Sequence, residues 1–407
     1  MSLITPVIPR FVFALIKKLA CLVFLLAITF ATEAQRLNVA VDLQKDDSGV
    51  FNLKIPLPEG LYRVRLALGS DQSSGHTVVR AESRRLYAKE IVTEKGQFKE
   101  LSFTVHRRSP IISAQEKVRL KPREVSKLNW DEFLNLEISG QEAQLSKLSI
   151  EVAGEVPVVY LCGNSTVVDQ DNEPWASWGQ MITVFFDDRI CFANYAESGE
   201  AANSFIAAGR LKKIMTQIKP GDYVLVEFGH NDQKQKGEGK GAYLSYWNSL
   251  TEFIDQAREK EAIPILITPT QRRSFGEDGR IVDTHEDYPQ AMRDLARDKQ
   301  VPLIDLHQMT RVLYEALGTE GSKKAFVHYP AGTFPGQDKA LADNTHFNSY
   351  GAYQIAKCVI VGMKELNLPL LEFLREDLIY DPAFPDNPDS FNWWPSPYVD
   401  IQKPEGN

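Results

Sequence analysis

Cysteine is scarce in this chain, four among 407 residues, and one of the four, Cys21, falls in an N-terminal apolar run. The other three, Cys162, Cys191 and Cys358, are odd in number and widely spaced, which excludes a disulfide framework. Buried free thiols are expected instead. Metal-ligand spacing is missing as well: no pair of Cys or His residues stands at the intervals of a zinc site, and no metal or cofactor is expected. A basic excess is lacking. With 46 Lys and Arg against 54 Asp and Glu the net charge is −8, which disfavours nucleic acid and anionic membrane as partners. A local basic patch facing an acidic polysaccharide stays compatible with that balance. Internal repeats and low-complexity tracts are absent, and composition is that of an ordinary globular protein.

Long apolar runs are absent too, except one. Arg10, Lys17 and Lys18 precede Leu19–Phe30, and Thr32-Glu33-Ala34 follows with small residues where a signal peptidase reads. The pattern predicts a signal peptide, residues 1–34, cleaved after Ala34. The run is short for a bilayer span, so no integral membrane segment is expected after cleavage. The expected location is secreted or periplasmic. Removing residues 1–34, with three basic residues and one acidic, takes the net charge from −8 to −10.

From residue 36 to 153 short alternating runs recur between turn signals. Val64, Leu66 and Leu68 share one face of 61–68, and further strands are expected at 37–43, 49–55, 77–81, 87–92, 99–106, 133–138 and 148–152. Such spacing predicts an N-terminal β-sandwich domain, either carbohydrate-binding-like or purely a packing module. After Pro157 strand-like and helix-like runs alternate. Strands are expected at 158–161, 190–196, 223–228, 263–268 and 301–306, with helices over 175–186, 204–218, 244–259, 288–298 and 350–366. That alternation predicts a parallel sheet covered on both faces, over residues 157–380. The segment 381–407, rich in Pro, Asn and Asp, is expected to be an irregular cap.

Three successive strands end in polar, glycine-containing loops: Gly163-Asn-Ser165, Glu197-Ser-Gly199 and Gly229-His-Asn-Asp232. A fourth polar cluster, Asp343-Asn-Thr-His346, precedes the last helix. Ligands bind at the C-terminal edge of a parallel sheet, where these loops sit. A serine after a strand is ordinarily a turn residue or a cap. Here the other loops supply what acyl transfer needs. Ser165 is the candidate nucleophile and His346 its base. Asp343, three residues earlier, is placed to fix the tautomer of His346. The N–H groups of Ser165 and Gly199 and the amide of Asn231 are the candidate oxyanion donors.

These four blocks resemble those of the SGNH or GDSL hydrolases, over about residues 157–370. Within that superfamily Gly-Asn-Ser-Thr166, Asn194-Tyr-Ala-Glu-Ser-Gly199, Phe228-Gly-His-Asn-Asp-Gln233 and Asp343-Asn-Thr-His-Phe-Asn348 resemble the rhamnogalacturonan acetylesterases. One departure stands out: the family's Gly-Asp-Ser is Gly-Asn164-Ser here. The resemblance implies a flavodoxin-like three-layer α/β hydrolase fold. It also implies removal of acetyl groups from acetylated pectic polysaccharide. Arg272 and Arg273 follow the strand ending at Thr268 and are candidates for a galacturonate carboxylate. His230 and His328 are candidate substrate contacts, whereas His285 and His307 carry no functional pattern. Two other readings stay open. One is an acetylesterase on another polysaccharide such as xylan. The other is a non-catalytic protein that binds acetylated glycans, which a chromogenic acetyl ester would separate from either enzyme.

Overall fold

The computed structural model describes residues 36–37 and 43–405. The signal peptide reading, and most of the strand expected over 37–43, lie outside those residues. In chain order the strands are β1 Arg36–Leu37, β2 Phe51–Pro56, β3 Gly60–Gly69, β4 Gly75–Ala81, β5 Arg85–Thr93, β6 Phe98–Arg107, β7 Phe133–Ser139 and β8 Lys147–Val152. They continue as β9 Val158–Gly163, β10 Cys191–Asn194, β11 Tyr223–Glu227, β12 Ile263–Ile267, β13 Leu303–Ile304, β14 Phe326–Tyr329 and β15 Leu341–Phe347.

The parallel strands run in the order β10-β9-β11-β12-β13, the flavodoxin-like arrangement with its switch point at β9. Both faces of each strand are covered, and the alternation of side chains shows it. Val159 and Leu161 of β9, with Tyr223 and Leu225 of β11, face a core shared with the helix Ser349–Glu365. Val158, Tyr160 and Cys162, with Val224 and Val226, face a second core under the helices Trp247–Glu259 and Tyr288–Lys299. The expected helix over 204–218 is two, Ala202–Ala207 and Arg210–Met215, because Gly209 takes a φ of 80° between them. Cys162, Cys191 and Cys358 are buried free thiols, as expected.

The expectation of a self-contained β-sandwich ahead of the hydrolase is not confirmed. β6 pairs in parallel with β10, Thr104 opposite Cys191 and Val105 opposite Phe192. Through that contact β1, β8, β3 and β6 extend the central sheet, which has nine strands among the described residues. The other N-terminal strands form a sheet in the order β2-β7-β4-β5, packed on this extension through Val64, Leu66, Phe103, Leu134 and Ile138. Alternation along β3 correctly marks its inner face, Val64, Leu66 and Leu68. It carries no signal for an edge strand that joins a parallel neighbour 87 residues further on. Among the described residues no helix is long and apolar enough to cross a membrane.

A buried ion pair joins the two halves. Arg85, at the start of β5, donates to Asp169 from Nη2 at 2.8 Å and from Nε at 3.2 Å, with both side chains enclosed. Removing one partner strands the other's charge, at a cost of about 3–5 kcal/mol. Urea unfolding of Arg85→Met should show a loss of that order. Adding Asp169→Asn should recover part of it, whereas no recovery would place the loss in packing rather than charge.

Candidate active site

Gly163 closes β9 with no room for a side chain: a Cβ there would stand 2.5 Å from Val167 Cγ2 and 3.0 Å from the Glu227 carbonyl. The chain therefore folds back on itself, with the N–H groups of Val167 and Val168 each donating to the Asn164 carbonyl at 3.0 Å. This turn presents Ser165 at the sheet's switch point. β15 delivers the partner. His346 Nε2 is 2.9 Å from Ser165 Oγ, and His346 Nδ1 is 2.8 Å from Asp343 Oδ2. The other oxygen of Asp343 accepts the N–H groups of Thr345 and His346 at 2.8 and 3.0 Å. Burial works to raise the Asp343 carboxyl, but hydrogen bonds from His346 and these amides hold it well below the usual range. Trp175 stands edge-on to the His346 ring, with centroids 5.8 Å apart.

Gly199 follows β10 with a φ of 77°, and a Cβ there would meet Lys121 Nζ at 3.1 Å and Glu405 Cβ at 3.2 Å. The Asn231 amide donates to the Glu200 carbonyl at 3.0 Å and carries a second hydrogen. Asp232 pins this loop by accepting the N–H groups of Gly229 and Ala202, both at 2.9 Å. The four expected blocks thus converge at one edge of the sheet.

Beneath the Ser165 turn lies a carboxyl that sequence reasoning missed. Thr166 Oγ1 is 2.9 Å from Asn164 Oδ1 and 2.8 Å from Glu227 Oε1, yet a hydroxyl has one hydrogen for the two. Burial pushes Glu227 up to about 7, against hydrogen bonds from Trp178 and Thr166. A protonated Glu227 donates to Thr166, which then donates to Asn164. Aspartate at 164 would set a second carboxylate on that hydroxyl, whereas asparagine avoids this and leaves its own Nδ2 enclosed without a hydrogen-bond partner.

Because the folded pKa of Glu227 lies above its unfolded value, the folded state holds the extra proton between about pH 4.5 and 7. Stability falls as pH rises through that window, by on the order of 3 kcal/mol from this group. Glu227→Gln reproduces the protonated form. Its stability relative to the parent should therefore climb from pH 4.5 to 8 in denaturant titrations, and parallel curves would contradict the assignment.

The N-terminal half also reaches the site. Lys121 Nζ and Arg123 Nη2 both donate to the Ser198 carbonyl at 2.6 Å. Arg123 and Lys127 pair with buried Glu197 at 2.8 and 3.3 Å. Burial works to raise that carboxyl, but Lys127, Arg210 and Arg123 outweigh it and hold it at about 2. The C-terminal tail crosses the same ground. Lys403 Nζ lies 3.3 Å from Asp343 Oδ2, and Glu405 pairs with Arg123 and Lys121. Between tail and sheets a cavity of about 650 Å³ opens beside Trp175 and Ser198, with Arg84, Arg123, Lys127 and Lys403 in its walls.

The remaining candidates are placed as follows. Arg272 donates to the Thr284 carbonyl and hydroxyl at 3.3 and 3.1 Å and to the His230 carbonyl at 3.4 Å. Arg273 donates to Ser322 Oγ at 3.0 Å and to Asn344 Oδ1 at 3.1 Å. His328 Nε2 is 2.9 Å from the same Asn344 oxygen. His230 is enclosed, its ring edge-on to His285, and burial, then His285 and Arg272, pushes its pKa well below that of an ordinary histidine. Among the described residues one group of possible metal ligands occurs, Asp283, His285 and His307.

Residues 161–352 match the model of the GDSL-like Lipase/Acylhydrolase family. The chain is 45% identical over 218 residues to rhamnogalacturonan acetylesterase RhgT of Bacillus subtilis (strain 168), a match covering 53% of this chain and 93% of that one. It is 36% identical over 222 residues to probable rhamnogalacturonan acetylesterase YesY of the same organism, covering 54% and 98%. Among solved structures, that of Bacillus subtilis protein YxiM is similar, with a TM-score of 0.48 and 24% identity over 79% of this chain and 81% of that one.

Proposed function

The chain belongs to the GDSL-like lipase/acylhydrolase family, in its rhamnogalacturonan acetylesterase-like branch, and from that premise we propose that it removes acetyl groups from the rhamnogalacturonan backbone of pectin. It is a serine esterase of the SGNH type and a carbohydrate acetylesterase. The observation that carries the proposed mechanism is the unbroken line Asp343–His346–Ser165, at 2.8 and 2.9 Å.

Ser165 Oγ attacks the acetyl carbonyl carbon while His346 Nε2 takes its proton. Asp343 accepts from Nδ1–H and steadies the imidazolium that forms. The carbonyl oxygen gains charge and is met by the N–H groups of Ser165 and Gly199 and the second N–H of Asn231. When the intermediate collapses, the sugar hydroxyl leaves with the proton from His346, and Ser165 carries the acetyl group. Water, deprotonated by His346, then releases acetate and restores the serine.

The polymer lies along the cavity beside Trp175, where Arg123, Lys127 and Lys403 meet its carboxylates. Arg272 and Arg273 hold the loops that flank Asn231 and Asp343, His328 shares the Asn344 oxygen with Arg273, and His230 lies enclosed next to Asn231. Residues 1–34 are a cleaved leader and the mature chain is secreted or periplasmic, with 157–380 the catalytic domain and 381–407 its cap.

Acetate release from a panel of acetylated rhamnogalacturonan and acetylated xylan tests the substrate. Rhamnogalacturonan should be preferred, and faster release from xylan would reassign it. On small chromogenic esters acetyl should exceed butyryl, since each methylene that does not fit discriminates by about 10–200-fold. Efficient turnover of octanoyl esters would overturn the acetylesterase reading in favour of a lipase-like one.

A further inference from the structure

The loop after β12 and the helix Leu306–Gly321 meet at a cluster of histidines that the proposed reaction does not use. The His230 ring packs edge-on to His285, with centroids 4.6 Å apart, and His285 packs in turn on His307 at 5.3 Å. His285 is wholly enclosed, and neither of its ring nitrogens has a hydrogen-bond partner. A neutral imidazole has one donor and one lone pair, and enclosing both unmatched is costly. One ligand atom from each of Asp283, His285 and His307 lies within 4.8 Å of the other two.

His307 restricts what fits between them. Its Nδ1 is 2.9 Å from the Pro269 carbonyl, which only accepts, so Nδ1 carries the hydrogen. In the neutral ring Nε2 is then a lone pair, and it faces Asp283 Oδ2 at 2.8 Å, an atom with no hydrogen to give. The Gln271 side-chain amide reaches the same Nε2 at 2.7 Å, while its oxygen has no partner. Amide oxygen and nitrogen are interchangeable in shape, and turning the group over brings a further oxygen to that point. With the amide turned over, lone pairs of His307, Asp283 and Gln271 converge beside an enclosed, unpartnered imidazole, an arrangement that a positive centre satisfies.

We propose that Asp283, His285 and His307 form a binding site for a divalent transition-metal ion of the zinc class, with the Gln271 amide oxygen as fourth ligand. Two imidazoles with a carboxylate suit zinc, whereas calcium and magnesium take sets of oxygens. The Nδ1–H bond to Pro269 is the kind of outer contact that orients a metal-bound imidazole. Asp283 is half-exposed, which gives an ion access and leaves that carboxylate able to close on it. Arg311 stands 3.9 Å from its Oδ2 on the outer side and offsets part of its charge. The ion would tie residues 283–285 to the first turn of the helix that starts at Leu306. Through the ring stack it would also steady His230, the neighbour of Asn231. The site is structural, and its standing is independent of the substrate.

The test uses the full chain, stripped with a chelator, verified as folded by circular dichroism, and titrated with zinc chloride by calorimetry. One zinc ion per chain is expected, with a raised melting temperature that magnesium and calcium do not reproduce. Asp283→Asn should weaken binding by about tenfold or more, and His285→Gln should do the same. His346→Ala should keep the stoichiometry, which separates this site from zinc caught on the proposed catalytic imidazole. Loss of binding in His346→Ala with retention in Asp283→Asn would overturn the proposal. So would the absence of zinc uptake by the folded chain, which would assign the positive centre to a proton shared by His307 and Asp283.

Discussion

Ser165→Ala is expected to fold as the parent does and to lose acetylesterase activity by about 10⁴-fold or more. The substitution removes one atom, Oγ, whose contact is with His346 Nε2 at 2.9 Å. The bond that ties the turn to its surroundings, from Gln170 Nε2 to the Ser165 carbonyl at 2.9 Å, belongs to the backbone and is kept. Melting temperature should therefore stay close to that of the parent while kcat collapses. What remains should be the contribution of the oxyanion donors and of substrate binding, and it should change little when His346 is also replaced, since residues acting as one unit are not additive. Near-full activity on an acetyl ester would remove Ser165 from the nucleophile's place. A large fall in melting temperature would leave the activity loss uninformative, and the double variant would then have to decide.

The parts of this site that were legible in the sequence are those fixed by local rules. A β-branched run closed by Gly163 marks β9, and polar loops after β9, β10 and β11 fall at one edge because parallel strands all end there. Asp343 and His346 are three residues apart, so their pairing is nearly a local property. What escaped is what depends on contacts between distant segments. Glu227 sits at the end of an apolar strand and gives no sign of lying under Thr166. Lys121, Arg123 and Lys127 precede the parallel sheet, and nothing local to them announces that β6 joins β10 and brings them to Ser198. Lys403 and Glu405 belong to a tail without regular structure, so no periodicity directs them to Asp343 and Gly199. The helix Leu306–Gly321 did leave a signal that went unread: Leu306, Thr310, Leu313 and Tyr314 are its buried stripe at helical spacing, and His307 lies on that face. Asp283, His285 and His307 form a cluster only because that helix packs beside the loop after β12, and no short spacing records it.

Asn231→Ala should lower kcat by about 10²–10³-fold with KM little changed. The amide spends one hydrogen on the Glu200 carbonyl at 3.0 Å, which fixes its plane, and the other is free to meet an oxygen held at Ser165. A donor held this way acts chiefly on charge that develops in the transition state, so it lowers the barrier without tightening the ground state. The loop itself should survive the change. Its backbone is held by Asp232, through the N–H groups of Gly229 and Ala202, and Asn231 contributes nothing to those two bonds. Asn231→Asp sharpens the test, because it preserves the shape while replacing the donor with an acceptor that repels the oxyanion. The aspartate variant should be no more active than the alanine one, and both should keep the parent's KM within a few-fold. If the loss fell on KM alone, Asn231 would act by holding the ground-state ester. If aspartate restored activity over alanine, the residue's part would be to hold Lys234 in place, since Lys234 Nζ donates to the side-chain oxygen of Asn231 at 3.2 Å and aspartate keeps that acceptor while losing the bond to Glu200. The direction of the aspartate result therefore separates a donor to developing charge from a brace for the loop.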